Sequence, residues 1–294
     1  MINTHILAQE FEYLEPKTIE EAVQYLAQYG ERAKIIAGGT DLLVQMKMGR
    51  LQPEYLINIS KIPALRYLIE ERGLRIGSLT PFREIERSQG IEKKYTALFE
   101  AARSVSSVQI KVTGTVGGNL CNASPAADSA PPLIAFGAEA KLVGIDGERR
   151  LPLEDFFRGP GETVLSPREI LVEVEVPERS GGMGSSFLKM ARVSADMAKV
   201  NVAVAVIRDG NLCRDCRIVL GSVAKTPLRT KEGEAILRGE DVTANLIEKA
   251  SDKAAKEIQP ITDIRSTAWY RKEVAKVKIR EAIDIAWKRA GGKA

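Results

Sequence analysis

Histidine is almost missing: His5 is the only one in 294 residues. A Ser-His-Asp hydrolase, a histidine-based metal site and a histidine general base all need an imidazole at the reacting centre, so all three are disfavoured. Cysteine is scarce as well. Cys121, Cys213 and Cys216 are too few for a cysteine-only iron–sulfur cluster, which normally takes four thiolates. Aromatic residues make up 5% of the chain, and its 43 basic and 39 acidic side chains are interleaved, with no basic block and a formal net charge of +4. Nucleic-acid sites usually show a clustered basic face with aromatics, so no nucleic-acid partner is expected. No apolar run approaches the roughly 18–20 residues of a membrane span. The N-terminal MINTHILAQEFEYLEPKT lacks the basic region and long apolar core of a secretory signal, so a cytoplasmic protein is expected. These gaps disfavour histidine- and cysteine-based chemistry. If the chain is an enzyme, most of its chemistry is expected to arrive in a cofactor.

What is present is ordinary for a globular protein, with 44% hydrophobic and 28% charged residues in a length that suits two domains. Thr18-Ile19-Glu20-Glu21 has capping-box spacing before a helix that Gly30 can end. KIIA (34–37) and YLINIS (55–60) read as strands, with a helix from Asp41 to near Gly49 between them. RYLIEERGLRIGSLT and AKLVGIDGERRLPL read as hairpins, and PPLIAFG as a short helix with prolines in its first turn. In ILVEVEVP (170–177), Val172, Val174 and Val176 alternate with Glu173 and Glu175, which predicts valines on one face and glutamates on the other. ERSGGMGSS is the best linker candidate. Beyond it FLKMARV, NVAVAVIRD and DCRIVLGSVA suggest three strands, and three helical segments follow. Strands followed by helices fit an α+β unit. The expected division is therefore residues 1–177 and a smaller α+β domain over 185–290. In a strand, Cys213 and Cys216 point to opposite faces, which predicts structural thiols rather than a shared metal. The basic C-terminal segment has apolar positions at helical spacing and predicts a solvated helix face.

Two glycine-bearing stretches carry the chemistry. In IIAGGTDLLVQMK, Gly38-Gly39-Thr40 follows an apolar run and opens a helix. Glycines there leave backbone N–H groups accessible, and successive exposed N–H groups with a threonine hydroxyl suit a phosphate. TGTVGGN offers the same components again in Thr115, Gly117, Gly118 and Asn119. A diphosphate bridging both loops explains the duplication. Neither stretch has the lysine of a Walker motif, and neither fits the GxGxxG pattern of a Rossmann site. Read from residues alone, tight turns remain an equal alternative.

AGGTDLLVQMK together with TVGGNLCNASPAADSAPPLIAFGA resembles the flavoprotein, or medium, subunit of molybdenum hydroxylases, a family that includes xanthine dehydrogenases and aerobic carbon monoxide dehydrogenases. LSPREILVEVEVP, RVSADMAKVNVAVAV and LGSVAKTPLR extend the resemblance over nearly the whole chain. It implies a two-part FAD-binding domain of the vanillyl-alcohol-oxidase (PCMH) type, then a small α+β flavoprotein C-terminal domain like that of carbon monoxide dehydrogenase. By this resemblance FAD lies along Lys34, Ile35, Ile36, Ala37, Gly38, Gly39, Thr40, Asp41 and Leu42, and along Thr115, Gly117, Gly118 and Asn119. Ser106, Asp128, Leu171 and Lys189 complete the implied cofactor set. Asp128 suits ligand hydroxyls rather than phosphate, although a helix N-cap is as natural a reading of its position. Asp41 also fits a helix-start acid, and Lys189 a solvated strand lysine. The implied partners are a small subunit with two [2Fe–2S] clusters and a large molybdenum-cofactor subunit, with NAD, a quinone or oxygen as acceptor. A stand-alone FAD oxidoreductase of the same fold and a non-catalytic assembly subunit are the alternatives.

Overall fold

A computed structural model describes residues 7, 9–105, 107–178 and 182–291; His5 and Ser106 lie outside the described residues. The chain opens with β1 (Glu12–Leu14), α1 (Ile19–Tyr29), β2 (Ala33–Ile36), α2 (Leu42–Lys47) and β3 (Tyr55–Asn58). β3 lies between β1 and β2 and is parallel to both, with α1 and α2 making the connections. Parallel neighbours need such crossovers, because a tight hairpin cannot reverse the chain twice. Thr18 caps α1 by accepting the Glu21 N–H at 3.1 Å, while Glu21 reaches back to the Lys17 N–H. Gly30, at φ +54°, ends the helix.

Next come β4 (Leu68–Ile69) and β5 (Gly73–Gly77), then the helices α3 (Phe82–Arg87), α4 (Gln89–Lys94), α5 (Thr96–Ser104), α6 (Val108–Thr113), α7 (Val116–Cys121) and α8 (Ala130–Ala135). β6 (Glu139–Gly144), β7 (Gly147–Pro152), β8 (Phe157–Gly159), β9 (Glu162–Thr163) and β10 (Glu169–Pro177) follow. Five of these strands form an antiparallel sheet in the order β4-β5-β10-β6-β7. β10 does not keep the expected alternation. Its pairing with β6 slips between Leu171 and Glu173. Ile170 and Val172 therefore join the core beneath α1, whereas Leu171, Val174 and Val176 join the core around α5 and α8. The bulge switches the faces of one strand between two cores. Glu173 is buried, held by the Tyr67 hydroxyl at 2.6 Å and by Arg75 at 2.7 Å.

The second unit has β11 (Met183–Met190), β12 (Val200–Asp209), β13 (Leu212–Gly221) and β14 (Leu228–Arg229) in one antiparallel sheet, followed by α9 (Lys231–Leu237), α10 (Ala244–Glu257) and α11 (Ala268–Ala290). β11 starts inside the expected linker, since Gly184, Ser185 and Ser186 pair with β12. The two faces of β12 differ by design of its sequence. Val200, Val202, Val204 and Val206 pack on α9–α11. The small Ala203 and Ala205 face the first unit and share its core with Phe187 and Val219, so α5 and α8 can approach closely. Among the described residues no helix is long and apolar enough to cross a membrane.

The cysteine pair departs from expectation. The β12–β13 register slips between Ile207 and Arg208, so that Arg208 pairs with Cys213 and Ile207 with Asp215. One residue is bulged out, and both thiols turn into the same core, where they are fully buried and hydrogen-bonded to each other. That contact, with burial, holds the Cys216 thiol well above its usual range. Neither thiol should react with a colorimetric thiol reagent until the protein is unfolded; rapid labelling of either in the native chain would mean that the bulge opens.

Candidate functional site

A cavity of about 780 Å³ runs between β2, the two glycine-bearing segments and the start of β10. This lies within the roughly 300–1,000 Å³ usual for sites of small ligands and cofactors. One wall is the continuous stretch Lys34 to Leu42. A second is Thr115, Gly117, Gly118 and Asn119, and Leu171 closes a third. The two glycine segments are in direct contact. A Cβ built on Gly38 would lie 2.0 Å from the Thr113 carbonyl oxygen and 3.2 Å from the Gly114 nitrogen. Only hydrogen at that position lets the segments meet. Gly39 serves differently, turning the chain at φ +67° into α2, a conformation that a Cβ disfavours.

The segments share glycines but not their hydrogen bonding. Among the described residues, no acceptor meets the N–H groups of Gly38, Gly39, Thr40 or Asp41. Consecutive free donors on a turn make a concave site for an anion. Asp41 stands where an N-cap would, yet its side chain makes no capping bond. The second segment is not a loop. It enters α7, with Thr115 as N-cap, and its donors are consumed there. The Val116 N–H donates to Thr80 O at 3.0 Å and the Gly117 N–H to Ser78 O at 2.9 Å. The Gly118 N–H donates to Thr115 Oγ1 at 3.0 Å, and the Asn119 N–H to Thr115 O at 3.0 Å. A threonine followed by a compact turn satisfies the orphan donors of a helix start, and the expected second nest of N–H groups is thereby lost. What this wall offers instead is the Thr115 hydroxyl hydrogen, the Asn119 amide and the exposed surface of Gly118. Asn119 Oδ1 accepts from Ser129 at 2.7 Å, which turns its N–H2 group outward as a donor. Gly117 has a packing role, since a Cβ there would strike Ser78 at 2.6 Å.

Asp41 faces the cavity, and desolvation raises its carboxyl above the usual range, with the Thr40 hydrogen bond opposing. Asp128 and Lys189 are brought to each other rather than onto the cavity lining. Asp128 Oδ2 accepts from Lys189 Nζ at 2.6 Å, and both side chains are buried. Neither simpler reading of them fits, because α8 starts after Ser129 with no side-chain cap and Lys189 is not solvated. Burial raises the Asp128 carboxyl above its usual range against the charge of Lys189. Several lining residues were not anticipated, notably Val105 beside Ser106, Gln45, Asn122, and Ser166 with Pro167 ahead of Leu171. Gln45 donates to Asn122 Oδ1 at 3.4 Å, linking α2 to the end of α7. The quoted LSPRE run was the available signal for the third wall. Cys121 also lines the cavity, but burial pushes its thiol up to about 12, so it is a neutral group and no nucleophile.

The donor set suits an elongated anionic ligand with a polar, uncharged flank, as a dinucleotide diphosphate requires. Two family models cover the chain in order. "FAD binding domain in molybdopterin dehydrogenase" matches residues 9–179, and "CO dehydrogenase flavoprotein C-terminal domain" matches residues 185–286. The carbon monoxide dehydrogenase medium chain of Hydrogenophaga pseudoflava is 35% identical over 97% of this chain and 99% of its own length. The xanthine dehydrogenase FAD-binding subunit of Escherichia coli is 30% identical over 96% of this chain and 97% of its own. The solved carbon monoxide dehydrogenase of H. pseudoflava superimposes with a TM-score of 0.93 at 35% identity, covering 97% of this chain and 99% of that one. With both units matched in order and nearly end to end, the chain belongs to the FAD-binding medium subunits of the molybdenum hydroxylase family, and FAD is its cofactor.

Proposed function

We propose that this chain is the FAD-carrying electron-transfer subunit of a molybdenum hydroxylase complex. Electrons reach it from [2Fe–2S] clusters on a small partner subunit, after a large molybdenum-cofactor subunit has oxidised the organic substrate. They leave for NAD, a quinone or oxygen. When bound, FAD supplies the redox chemistry, and the protein's part is to hold, orient and shield it. The observation that carries this reading is the row of N–H groups from Gly38 to Asp41, without an acceptor among the described residues, along the cavity and opposite the glycine wall. Those N–H groups hold the diphosphate. The Thr115 hydroxyl and the Asn119 amide donate from the opposite wall, and Gly118 lets the ligand lie close. Val105 and Leu171 supply apolar surface that excludes water. Three cysteines in the whole sequence leave the clusters to another chain.

The test is the visible absorbance spectrum of the purified chain before and after adding FAD, with the released cofactor identified after denaturation. Bound FAD without iron–sulfur absorbance is the expected result. A chain that stays colourless in excess FAD would overturn the reading and leave an assembly role.

A further inference from the structure

The small face of β12 begins with a polar residue. Asn201 shares that face with Ala203 and Ala205 and is fully buried against the first unit. Its cross-strand neighbour on β11 is Lys189, and on β13 it is Gly221. Directly paired residues project to the same side of a sheet, so Lys189 and Asn201 form a fork. The fork closes on Asp128. Lys189 Nζ donates to Oδ2 at 2.6 Å, and Asn201 Nδ2 donates to Oδ1 at 2.9 Å and to the Ala127 carbonyl at 3.4 Å. Gly221 makes room, since a Cβ there would lie 2.3 Å from Asn201 Oδ1. One residue further on, the Ser222 N–H donates to Pro125 O at 2.7 Å from a backbone held at φ +62°. The end of this sheet therefore grips residues 125–128 at successive points.

The gripped segment leads straight to the cofactor cavity. It starts at Asn122, which lines the cavity, and at Ala123, held at φ +45°. The Ala123 carbonyl accepts from Gly161, another lining residue, at 3.0 Å. Non-glycine residues at positive φ persist only where their surroundings over-determine them. Here they flank the clasp at both ends.

We propose that Asn201 is a positioning residue for the flavin site: by fixing Asp128 against Lys189 it sets the 122–128 segment and, through it, the cavity wall made by Cys121 and Asn122. The inference rests on the flavin reading above. The residue type follows from the contacts. A carboxylate and a carbonyl both require donors, and an amide presents two N–H groups without adding charge. An aspartate at 201 would set two carboxylates side by side, and a leucine would leave Asp128 one donor short.

The test is a charge swap in the full chain, read as the FAD dissociation constant from quenching of flavin fluorescence, with thermal melts as a check on folding. Asn201→Asp should weaken FAD binding by about 100-fold and Asn201→Ser by about 10-fold, the range expected for losing hydrogen bonds to a charged group. Asn201→Asp combined with Asp128→Asn restores one carboxylate, one amide and the lysine, and should return affinity to within about 10-fold of wild type. A loss of packing alone would not be repaired by that exchange. Wild-type affinity in Asn201→Asp and Asn201→Ser would overturn the proposal while leaving the flavin reading intact, and Asn201→Ser decides if the aspartate variant does not fold. Weak binding that the swap does not repair would assign the loss to Asp128 itself and also overturn it. A wild-type chain that takes up no FAD would remove the flavin reading and this inference with it.

Discussion

Alanine at Gly38 should abolish FAD uptake and destabilise the protein by about 1–3 kcal/mol, the usual range for overpacking a close contact. The added Cβ would lie 2.0 Å from the Thr113 oxygen and 2.7 Å from its carbonyl carbon. Both are backbone atoms, so no side chain can rotate away, and the two glycine-bearing segments must part. Parting them displaces the N–H groups of Gly38 to Asp41, which then no longer converge on one anion. The strain is steric rather than torsional, because Gly38 is not among the residues at positive φ. Gly118 provides the contrast. A Cβ there meets only Thr115 Oγ1, at 3.0 Å, and otherwise points into open space. Gly118→Val should therefore melt close to wild type and yet lose FAD, because it fills the cavity rather than breaking the scaffold. Thermal melts together with flavin content after reconstitution separate the two. Stoichiometric FAD in Gly38→Ala would show that contact between the segments is not what shapes the site.

Much of this arrangement was legible in the residues because local rules governed it. Thr18 with Glu21, Gly30 at a helix end, Arg72-Gly73 and Asp146-Gly147 in hairpins, and prolines at the start of α8 all act within a few positions. The first glycine turn was legible for the same reason. What escaped were register shifts. A strand read at period two places Cys213 and Cys216 apart and Val172, Val174 and Val176 on one face, but one inserted residue reverses every later side chain. Nothing in CRDC or ILVEVEVP announces that insertion; it is set by the partner strands. TVGGN misled in another way. A threonine, two glycines and an asparagine suit a loop and a capped helix equally, and the decision came from Ser78 and Thr80, whose carbonyls take the first N–H groups of α7. Asp128 and Lys189 were selected through the family resemblance, and their mutual pairing depends on how two units pack. The alternation of valine with small residues in NVAVAVI did contain a clue to that packing, since a strand with two buried faces must serve two cores.

Lys189→Met should give the largest loss of stability, about 3–5 kcal/mol, because it leaves a buried carboxylate without its counter-charge while keeping the volume of the lysine stem. Burial already raises the Asp128 carboxyl above its usual range, and the charge and hydrogen bond of Lys189, with the Asn201 bond, oppose that shift. Without the lysine, burial acts nearly alone and the carboxyl rises further. A carboxyl that binds its proton more tightly folded than unfolded destabilises the fold progressively as pH climbs from its unfolded pKa through its folded one, and the penalty then levels off. The penalty is absent below the unfolded value, where both states are protonated. The stability gap between Lys189→Met and wild type should therefore be widest near neutral pH and should narrow on acidification as Asp128 takes up a proton and becomes a neutral acid. Taking the difference cancels the other carboxylates, which titrate alike in both proteins. Paired thermal melts over a pH series measure it directly. A gap that stays constant with pH would assign the loss to the bond that Lys189 Nζ donates to the Ser104 carbonyl at 3.1 Å, and would mean that Asp128 can be held charged by Asn201 and its surroundings alone.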